Sequence, residues 1–328
     1  MESKERLSWV DIVRGIGIIL VVLGHTYRSN PVLIWITSFH MPLFFILSGW
    51  LCGFVPRKID KTLIVKKAES FLVPFVEFVF LTYVYWIIVE SRFREFDFGP
   101  MWFLIVLFAV EIIAQMIITY LGKRGVLFGL VVSVITLYFC SMGEGINPYS
   151  VLAWAPRIIG ATSYFLIDTL ISTVVSVRDV NIKLSKKYFV GICIFSGLMS
   201  VILSQINGRV DLYFLVFKNL ILYYLAAISG VVFIYSFAML IRKMSLIEFL
   251  GRYSIIILCT SEQIKRVVIQ ALSMVMQVSG EDIRNNLLIG LVITVVVVFV
   301  DIIVIQIIRW ISEQIKGTKI KGLLGYIK

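Results

Sequence analysis

The sequence predicts an α-helical protein that crosses a membrane many times. Of its 328 residues, 59% are hydrophobic and only 16% are charged, and the mean hydropathy is +0.96. A soluble domain is closer to half apolar and a quarter charged. Apolar runs of about 20 residues, the length that a bilayer core demands of a helix, recur along the whole chain. These observations predict an all-α, polytopic integral membrane bundle.

The apolar runs divide the chain into about ten transmembrane helices. Each run is long enough to cross the hydrocarbon core, and polar or charged residues separate it from the next. The sixth and eighth runs are longer than the others, so tilt or a break is expected in them. The predicted spans are residues 9–27, 32–54, 69–90, 100–121, 126–142, 149–176, 188–206, 213–241, 254–276 and 287–309.

The basic residues predict which way these spans are oriented. With the N-terminus inside, the inner segments hold 21 Lys or Arg residues and the outer connections hold 5. Basic residues are retained in cytoplasmic loops, so this bias predicts that both termini are cytoplasmic and that the number of spans is even. We therefore expect a multi-pass protein of the plasma or inner membrane.

The domain organisation predicted from the sequence is simple. We expect one transmembrane domain over residues 1–312, followed by a basic cytoplasmic tail over 313–328 that lies along anionic lipid headgroups. The net charge of +11 could suit nucleic acid, but cytoplasmic loops explain it better, and no nucleic-acid partner is expected. The four cysteines show neither metal-binding nor disulfide spacing, so no metal site is predicted.

Ionisable and polar residues inside the spans predict a hydrated interior. Such groups are costly in a bilayer, so each requires a partner or a water-filled cavity. Their number in a single domain favours a cavity over a purely structural bundle. They are Asp11, Arg14, His25, His40, Glu111, Gln115, Arg157, Asp168, Glu262, Gln263, Lys265, Arg266 and Asp301.

The first span places an arginine and a histidine on one helix face. Asp11 and Arg14 are three residues apart and can pair. His25 lies eleven residues beyond Arg14, about three turns and roughly 16 Å further out. Glycines in this span allow close approach of another backbone or a ligand. The alternative is that Arg14 snorkels to the inner headgroups and that His25 merely ends the helix at the outer interface.

The second span contains the only other histidine. His40 is predicted to lie roughly 12 Å below the outer end of its helix, too deep to snorkel easily. Pro42 should loosen the helix beside it, and Ser48-Gly49 lies two turns further inward. The alternative for His40 is a neutral imidazole bonded to a backbone carbonyl in a tight interface.

These residues suit acyl transfer from a long donor. Histidine is the usual general base when a hydroxyl attacks a carbonyl near neutral pH, and arginine suits phosphate groups. A donor with its phosphates inside and its reactive end in the outer half would match the separation of Arg14 and His25. Coenzyme A thioesters have this shape.

Several motifs resemble the acyltransferase family 3 membrane O-acyltransferases. DIVRG, LGHT and FHMPLFFILSG occur in this order within the first fifty residues and are the most specific part of the resemblance. LVPF and MWFL follow, and NGRVDL and FLGRYS look like those of the fucose 4-O-acetylase-like branch. The resemblance covers nearly the whole chain.

The resemblance implies an acyltransferase for groups other than amino-acyl groups, acting as an O-acetyltransferase. The donor substrate would be acetyl-CoA, with no permanently bound cofactor. The acceptor would be a hydroxyl of a cell-surface polysaccharide or its lipid-linked precursor. Membrane lipids and polysaccharide biosynthesis proteins would be its other partners.

The resemblance also implies roles for individual residues. His25 would be the base, and Arg14 would bind the donor or support the site. His40 is a further catalytic candidate, Ser48 is grouped with the donor-binding residues, and Gly49 is structural. A nucleophilic Ser48 is an alternative, less favoured than a structural hydroxyl at a helix crossing. The supporting residues are Asp11, Trp102 and Glu262.

Two positions depart from the family pattern. Lys66 and Lys67 precede the third-span proline and are candidates for donor phosphate binding, but Ser70 stands where relatives often have a second arginine. Ser261 stands where many relatives have a histidine, with Glu262 retained after it. A non-catalytic relative is therefore one alternative. A transporter or flippase for a glycan or lipid is another, although no inverted repeat is visible.

Overall fold

A computed structural model of the chain describes residues 7–54, 58–91, 98–142, 147, 149–174 and 186–315. Almost all of them are helical. The predicted basic tail lies mostly outside the described residues, which end at Ile315. The helices are α1 (Ser8–Thr26), α2 (Asn30–Phe54), α3 (Lys61–Ile88), α4 (Trp102–Met142), α5 (Trp154–Val174), α6 (Lys186–Asn207), α7 (Leu220–Ile241), α8 (Ser245–Arg252), α9 (Ser254–Met276), α10 (Gly280–Asn285) and α11 (Leu287–Ile315).

The helices confirm a polytopic membrane protein. Within the described ranges, seven helical stretches are long and apolar enough to cross a membrane. One of them, Gly99–Ser141, has 43 residues and contains the fourth and fifth predicted spans, which Gly122 separates with a non-helical φ of 60°. Polar residues keep α5 and α9 outside these seven, yet both have the length of a span. Each of the ten predicted spans thus coincides with a helical segment.

The two long predicted spans begin later than the sequence suggested. Helix α5 starts at Trp154, after a short 3₁₀ turn at Val151–Ala153. Helix α7 starts at Leu220, where the Asn219 side chain accepts a hydrogen bond from the Leu222 amide. The residues before Leu220 form a loop, closed by hydrogen bonds between Asp211 and Val216. The extra length therefore belongs to connections, because capping and turn residues end the apolar runs.

Helix α1 lies inside the bundle and packs on α2, α7, α8, α9 and α11. Two glycines permit its crossing with α8. A Cβ on Gly15 would meet the Ile247 carbonyl oxygen at 2.1 Å, and one on Gly251 would meet the Asp11 carbonyl oxygen at 1.9 Å. The predicted close approach at α1 is therefore present at Gly15, where a short helix between two spans fills the space.

Helix α2 is held against α5 in the same way. A Cβ on Gly49 would lie 2.0 Å from the Phe165 carbonyl oxygen, and the Thr169 hydroxyl donates to the Gly49 carbonyl over 3.1 Å. Large apolar side chains such as Phe80 on α3 and Phe299 on α11 are exposed, as expected of surfaces that face lipid. Helices α1 and α2 thus present their polar residues to the interior.

Candidate active site

Two cavities open at opposite ends of α1. The first, of about 600 Å³, is lined by Arg14 and will be called the inner cavity. The second, of about 1050 Å³, is lined by His25 and will be called the outer cavity. Both volumes fall in or near the range of small-molecule sites. Val21, Met41 and Leu258 line both cavities, so these three side chains form the partition between them.

The inner cavity is mostly apolar with a small set of cations. Its walls come from α1, α2, α3, α4 and the α8–α9 corner. Its lining residues with positive or hydroxyl side chains are Arg14, Ser48, Lys67, Ser70, Arg252 and Ser254. Every segment that contributes them lies on the predicted cytoplasmic side or reaches it.

Only one of the two candidate lysines enters this cavity. Lys67 lines it, forms an ion pair with Glu111 on α4, and lies over the Phe71 ring at 5.8 Å. Lys66 is exposed and lies outside both cavities, where its carbonyl oxygen accepts a hydrogen bond from the Ser70 hydroxyl. Adjacent helical residues point in different directions, and here only the second lysine of the pair faces the cavity.

The cationic end of α1 is tied to α8. Asp11 is buried, and its carboxylate pairs with Arg252 over 3.4 Å. Arg252 also reaches Glu248 over 3.5 Å. Arg14 itself lies within electrostatic range of Tyr235, whose hydroxyl donates to Asp168 over 3.3 Å. Asp11 thus supports the site by holding Arg252 beside the inner cavity.

Ser48 lines the inner cavity, and Gly49 does not. Gly49 lies at the contact point of the α2–α5 crossing, where the Phe165 backbone leaves no room for a side chain. The tight crossing fixes the orientation of the preceding turn. Gly49 therefore has the structural position that the sequence suggested, and Ser48 is directed at the cavity from a helix that cannot shift.

The outer cavity brings both histidines together with charged and aromatic groups. It is lined by parts of α1, α2, α3 and α9. The connections that follow the first, third, seventh and ninth predicted spans, all predicted to lie outside, also contribute. Its charged lining residues are Arg28, Glu90, Arg209, Asp211, Glu262, Lys265, Arg266, Glu281 and Arg284.

His25 lies in the last turn of α1 with its ring half-buried. Among the described residues, neither ring nitrogen has a hydrogen-bond partner. Its backbone carbonyl accepts a hydrogen bond of 2.7 Å from Arg284 on α10. The ring is within electrostatic range of Glu262 and of His40. Its backbone is therefore fixed while its ring is left free for a ligand.

His40 has a defined tautomer. Its Nδ1 lies 2.8 Å from the carbonyl oxygen of Ile36, one turn back in α2. A carbonyl can only accept, so Nδ1 carries the proton and a neutral ring keeps a lone pair on Nε2. The carbonyl bond is the one expected of a structural histidine. The ring nevertheless lines the outer cavity instead of a tight interface.

Glu262 lies at the centre of an ion network on α9. Its carboxylate binds Lys265 over 2.5 Å and Arg266 over 2.9 Å, and Arg266 reaches Glu90 on α3 over 3.4 Å. Ser261, at the position where the resemblance implies a histidine, is buried and lines neither cavity. Glu262 therefore stands in the cavity wall while its neighbour is part of the packing.

Aromatic residues form a further wall of the outer cavity. Trp102 lines it and packs against the Tyr213 ring, with centroids 5.5 Å apart. Tyr213 is held by buried Arg157, which lies 4.1 Å from its ring centroid and donates to its carbonyl over 2.8 Å. The loop before α7 is thus anchored to α5 and forms a wall of the cavity.

The sequence did not single out several of these residues as site candidates. Arg284, Asp211 and Tyr213 lie in connections, where polar and aromatic residues are ordinary. Arg252 was visible only as part of the FLGRYS motif. Two of these residues lie in motifs that the sequence did single out: NGRVDL brings Asp211 to the outer cavity, and FLGRYS brings Arg252 to the inner one.

Comparison with known proteins identifies the class. The family model described as an acyltransferase domain, that of acyltransferase family 3, matches residues 7–306. The chain therefore belongs to this family, and its helices make it a multi-pass membrane acyltransferase. No curated protein and no solved structure matched the chain. The fucose 4-O-acetylase-like branch stays a prediction.

Proposed function

We propose that this protein is a membrane O-acetyltransferase. It moves an acetyl group from cytoplasmic acetyl-CoA to a hydroxyl of a cell-surface polysaccharide or its lipid-linked precursor. One observation carries the proposal: a cation-lined cavity and a histidine-lined cavity open at opposite ends of α1 and share a partition of three apolar side chains. This arrangement fits a donor from one side of the membrane and an acceptor from the other.

The inner cavity would hold the donor. Arg14, Lys67 and Arg252 provide cations for the phosphates of coenzyme A. The side chains of Lys67 and Arg252 are 35% and 46% exposed, so each can bind a phosphate in the cavity while it stays beside its largely buried carboxylate. The apolar wall formed by Phe44, Leu47 and Phe103 suits the less polar arm of the donor.

The donor would then reach the histidines through the partition. The residues Arg14 and His25 are separated by a rise of roughly 16 Å along α1. A long, thin pantetheine arm can span such a distance, whereas the nucleotide cannot follow it. Side-chain rotation of Met41, which is unbranched and flexible, would open the partition beside Val21. The thioester would thereby enter the outer cavity.

The chemical step is a single displacement at the thioester carbonyl. His25 takes the proton of the acceptor hydroxyl while the hydroxyl oxygen bonds to the acyl carbon. The carbon–sulfur bond then breaks, and the thiolate of coenzyme A receives the proton from His25. The products are an ester and free coenzyme A. Such general-base catalysis typically contributes about 10²–10⁴-fold.

His40 would act through His25. Because Nδ1 is bound to the Ile36 carbonyl, Nε2 is available as a hydrogen-bond acceptor. It can accept a hydrogen bond from the ring N–H of His25, and so turn the basic nitrogen of His25 toward the acceptor hydroxyl, without itself exchanging a proton. We therefore give His25 the role of base and His40 that of a group that positions the reacting atoms.

The outer cavity would bind the glycan. It combines the flat rings of Trp86, Trp102 and Tyr213 with amide and hydroxyl groups, including Thr37 and Gln263. Aromatic faces pack against the apolar faces of sugars, while amides and hydroxyls bind their hydroxyl groups. The volume of about 1050 Å³ leaves room for more than one sugar.

The test is the O-acetyl content of the surface polysaccharide of the host cell, measured by proton NMR. A strain without the protein would be compared with strains restored with wild type or with His25→Ala, at matched expression. The acetyl signals should disappear on deletion and return only with wild type. Unchanged acetylation with loss of surface polysaccharide would favour a transporter, and coenzyme A binding without acetylation would favour a non-catalytic relative.

A further inference from the structure

The cations of the outer cavity are unevenly matched by carboxylates. Lys265 and Arg266 both bind Glu262, and Arg28 lies 3.8 Å from Glu281. Arg209 and Arg284 have no ion-pair partner among the residues that the structure describes, and of these two Arg209 is exposed whereas Arg284 is half-buried. A charged group left unmatched in a membrane protein is costly, and it indicates a functional site.

The contacts of Arg284 hold it in place without using its charge. One terminal nitrogen, Nη2, donates to the His25 carbonyl over 2.7 Å, and the carbonyl of Arg284 accepts from the Arg28 amide over 2.9 Å. Its Nε is buried and has no hydrogen-bond partner in the described part of the chain. A guanidinium has five N–H donors, so most of its capacity is unused.

The charges around Arg284 compensate it only in part. Burial lowers its pKa most and the neighbouring Arg28 lowers it further, whereas Glu262 and Glu281, which form no ion pair with it, raise it. Arginine nevertheless stays protonated in proteins. The side chain thus holds a positive charge at a cost, which a bound anion would relieve.

We propose that Arg284 forms an anion subsite in the outer cavity and that the glycan acceptor carries an acidic group beside the hydroxyl that is acylated. The group is a carboxylate, as in a uronic acid, or a phosphate, because a guanidinium binds both through two parallel hydrogen bonds. Arg284 contacts His25 directly, so the acidic group would lie on the reacting sugar or on the group attached to it. The identification of the bound glycan as an acyl acceptor rests on the proposed function, whereas the anion subsite does not.

A binding experiment tests the subsite without acyl transfer. The purified protein in neutral detergent micelles would be heated with glucose, glucuronate or glucose 1-phosphate at equal ionic strength. A ligand that binds the folded state raises the unfolding temperature in a concentration-dependent way. We expect a shift with at least one acidic sugar and a smaller one with glucose. The acidic sugar that gives the larger shift identifies a carboxylate or a phosphate as the preferred group.

Variants assign the shift to one residue. Arg284→Gln keeps an N–H donor for the His25 carbonyl and removes the charge, so it should weaken acidic-sugar binding about tenfold or more, ~1.4 kcal/mol. Arg284→Lys keeps the charge and should retain part of the shift, and it serves if the glutamine variant does not fold. Lys218→Gln removes one exposed charge outside both cavities and should keep the shift.

Three results would overturn the subsite. They are equal shifts with glucose and both acidic sugars, an undiminished shift in Arg284→Gln, and an equal loss in Lys218→Gln. None of these bears on acyl transfer, so the subsite can fail while the O-acetylation test succeeds. Conversely, the purified protein could prefer acidic sugars while deletion of the protein leaves O-acetylation in the cell unchanged. That result would keep the subsite and remove the proposed function.

Discussion

The two cavities differ in how their charges are held. In the inner cavity, Lys67 and Arg252 are partly exposed, and each pairs with a carboxylate of another helix. In the outer cavity, Lys265 is only 8% exposed and is bound to Glu262 in a network on α9. The inner carboxylates, Glu111 and Asp11, are themselves largely buried, so the inner cations can add a phosphate ligand from the water side, whereas breaking either kind of pair would be expensive.

This difference indicates which of the two cavities adapts to its ligand. The inner cations are exposed enough to bind the phosphates of a donor that arrives from water. The outer network is fixed before any ligand binds, and it lies in the same cavity as His25 and His40. We therefore assign binding of the donor to the inner cavity and bond making to the outer one. Variants in each cavity separate these two roles.

The largest effect is expected at the histidines. His25→Ala should lower O-acetylation about 100-fold or more, which is within the range that a general base contributes. His40→Ala should lower it about 10–100-fold, the loss of about 1.4–2.8 kcal/mol of hydrogen bonding near a charged centre. Quantitative NMR of the polysaccharide measures both.

A glutamine at each position sharpens this prediction. Gln can accept a hydrogen bond but cannot take up a proton near neutral pH. His40→Gln should therefore recover part of the activity lost in His40→Ala, while His25→Gln should be as inactive as His25→Ala. Recovery at His25 and none at His40 would reverse the two roles.

A stability test separates Gly49 from the chemistry. Gly49→Ala places a Cβ 2.0 Å from the Phe165 carbonyl oxygen, so α2 must move away from α5. We expect a cost of more than about 2 kcal/mol, seen as a lower unfolding temperature in detergent. Gly191→Ala, on α6 with no heavy atom within 4 Å, is the matched control. It should be neutral or stabilising by up to about 1 kcal/mol. Equal unfolding temperatures for the two variants would contradict the tight crossing.

The adjacent lysines test the inner cavity. Lys67→Gln removes a cation that lines the cavity and should raise the KM for acetyl-CoA about tenfold. Lys66→Gln removes an exposed neighbour outside the cavity and should change this KM less than about twofold. Equal effects would mean that the donor binds along the helix surface and not in the cavity.

The smallest effect is expected at Ser48. If its hydroxyl only lines the inner cavity, Ser48→Ala should keep acetylation within about threefold, a loss below ~1 kcal/mol. A covalent acyl-serine intermediate predicts a loss beyond about 100-fold and labelled protein after incubation with radioactive acetyl-CoA. The second result would move part of the chemistry into the inner cavity.

The intramembrane part of the site could be predicted from the sequence. Arg14, His25, His40 and Glu262 are conspicuous because a bilayer makes ionisable groups costly, and all four line a cavity. The ten spans were predictable for the same reason, since the length of an apolar run has a physical meaning in a membrane.

The remaining parts of the site depend on contacts between distant segments. Arg252 reaches Asp11 only because Gly15 and Gly251 allow α1 and α8 to cross closely. Arg284 reaches His25 across 259 positions of sequence. Connections have no helical repeat, and polar residues outside the bilayer carry no energetic cost. Functional residues in connections therefore do not stand out in the sequence. The starts of α5 and α7 were misplaced because turn residues, and not hydropathy, end those runs.

The most direct test of the account compares binding with transfer in two variants. Acetyl-CoA binding to purified Lys67→Gln and His25→Ala would be measured by calorimetry, and O-acetylation would be measured in cells that express each at matched levels. Lys67→Gln should weaken binding about tenfold, whereas His25→Ala should bind within about twofold of wild type and transfer almost no acetyl groups. Loss of acetyl-CoA binding in His25→Ala equal to that in Lys67→Gln would contradict a division of labour between the cavities.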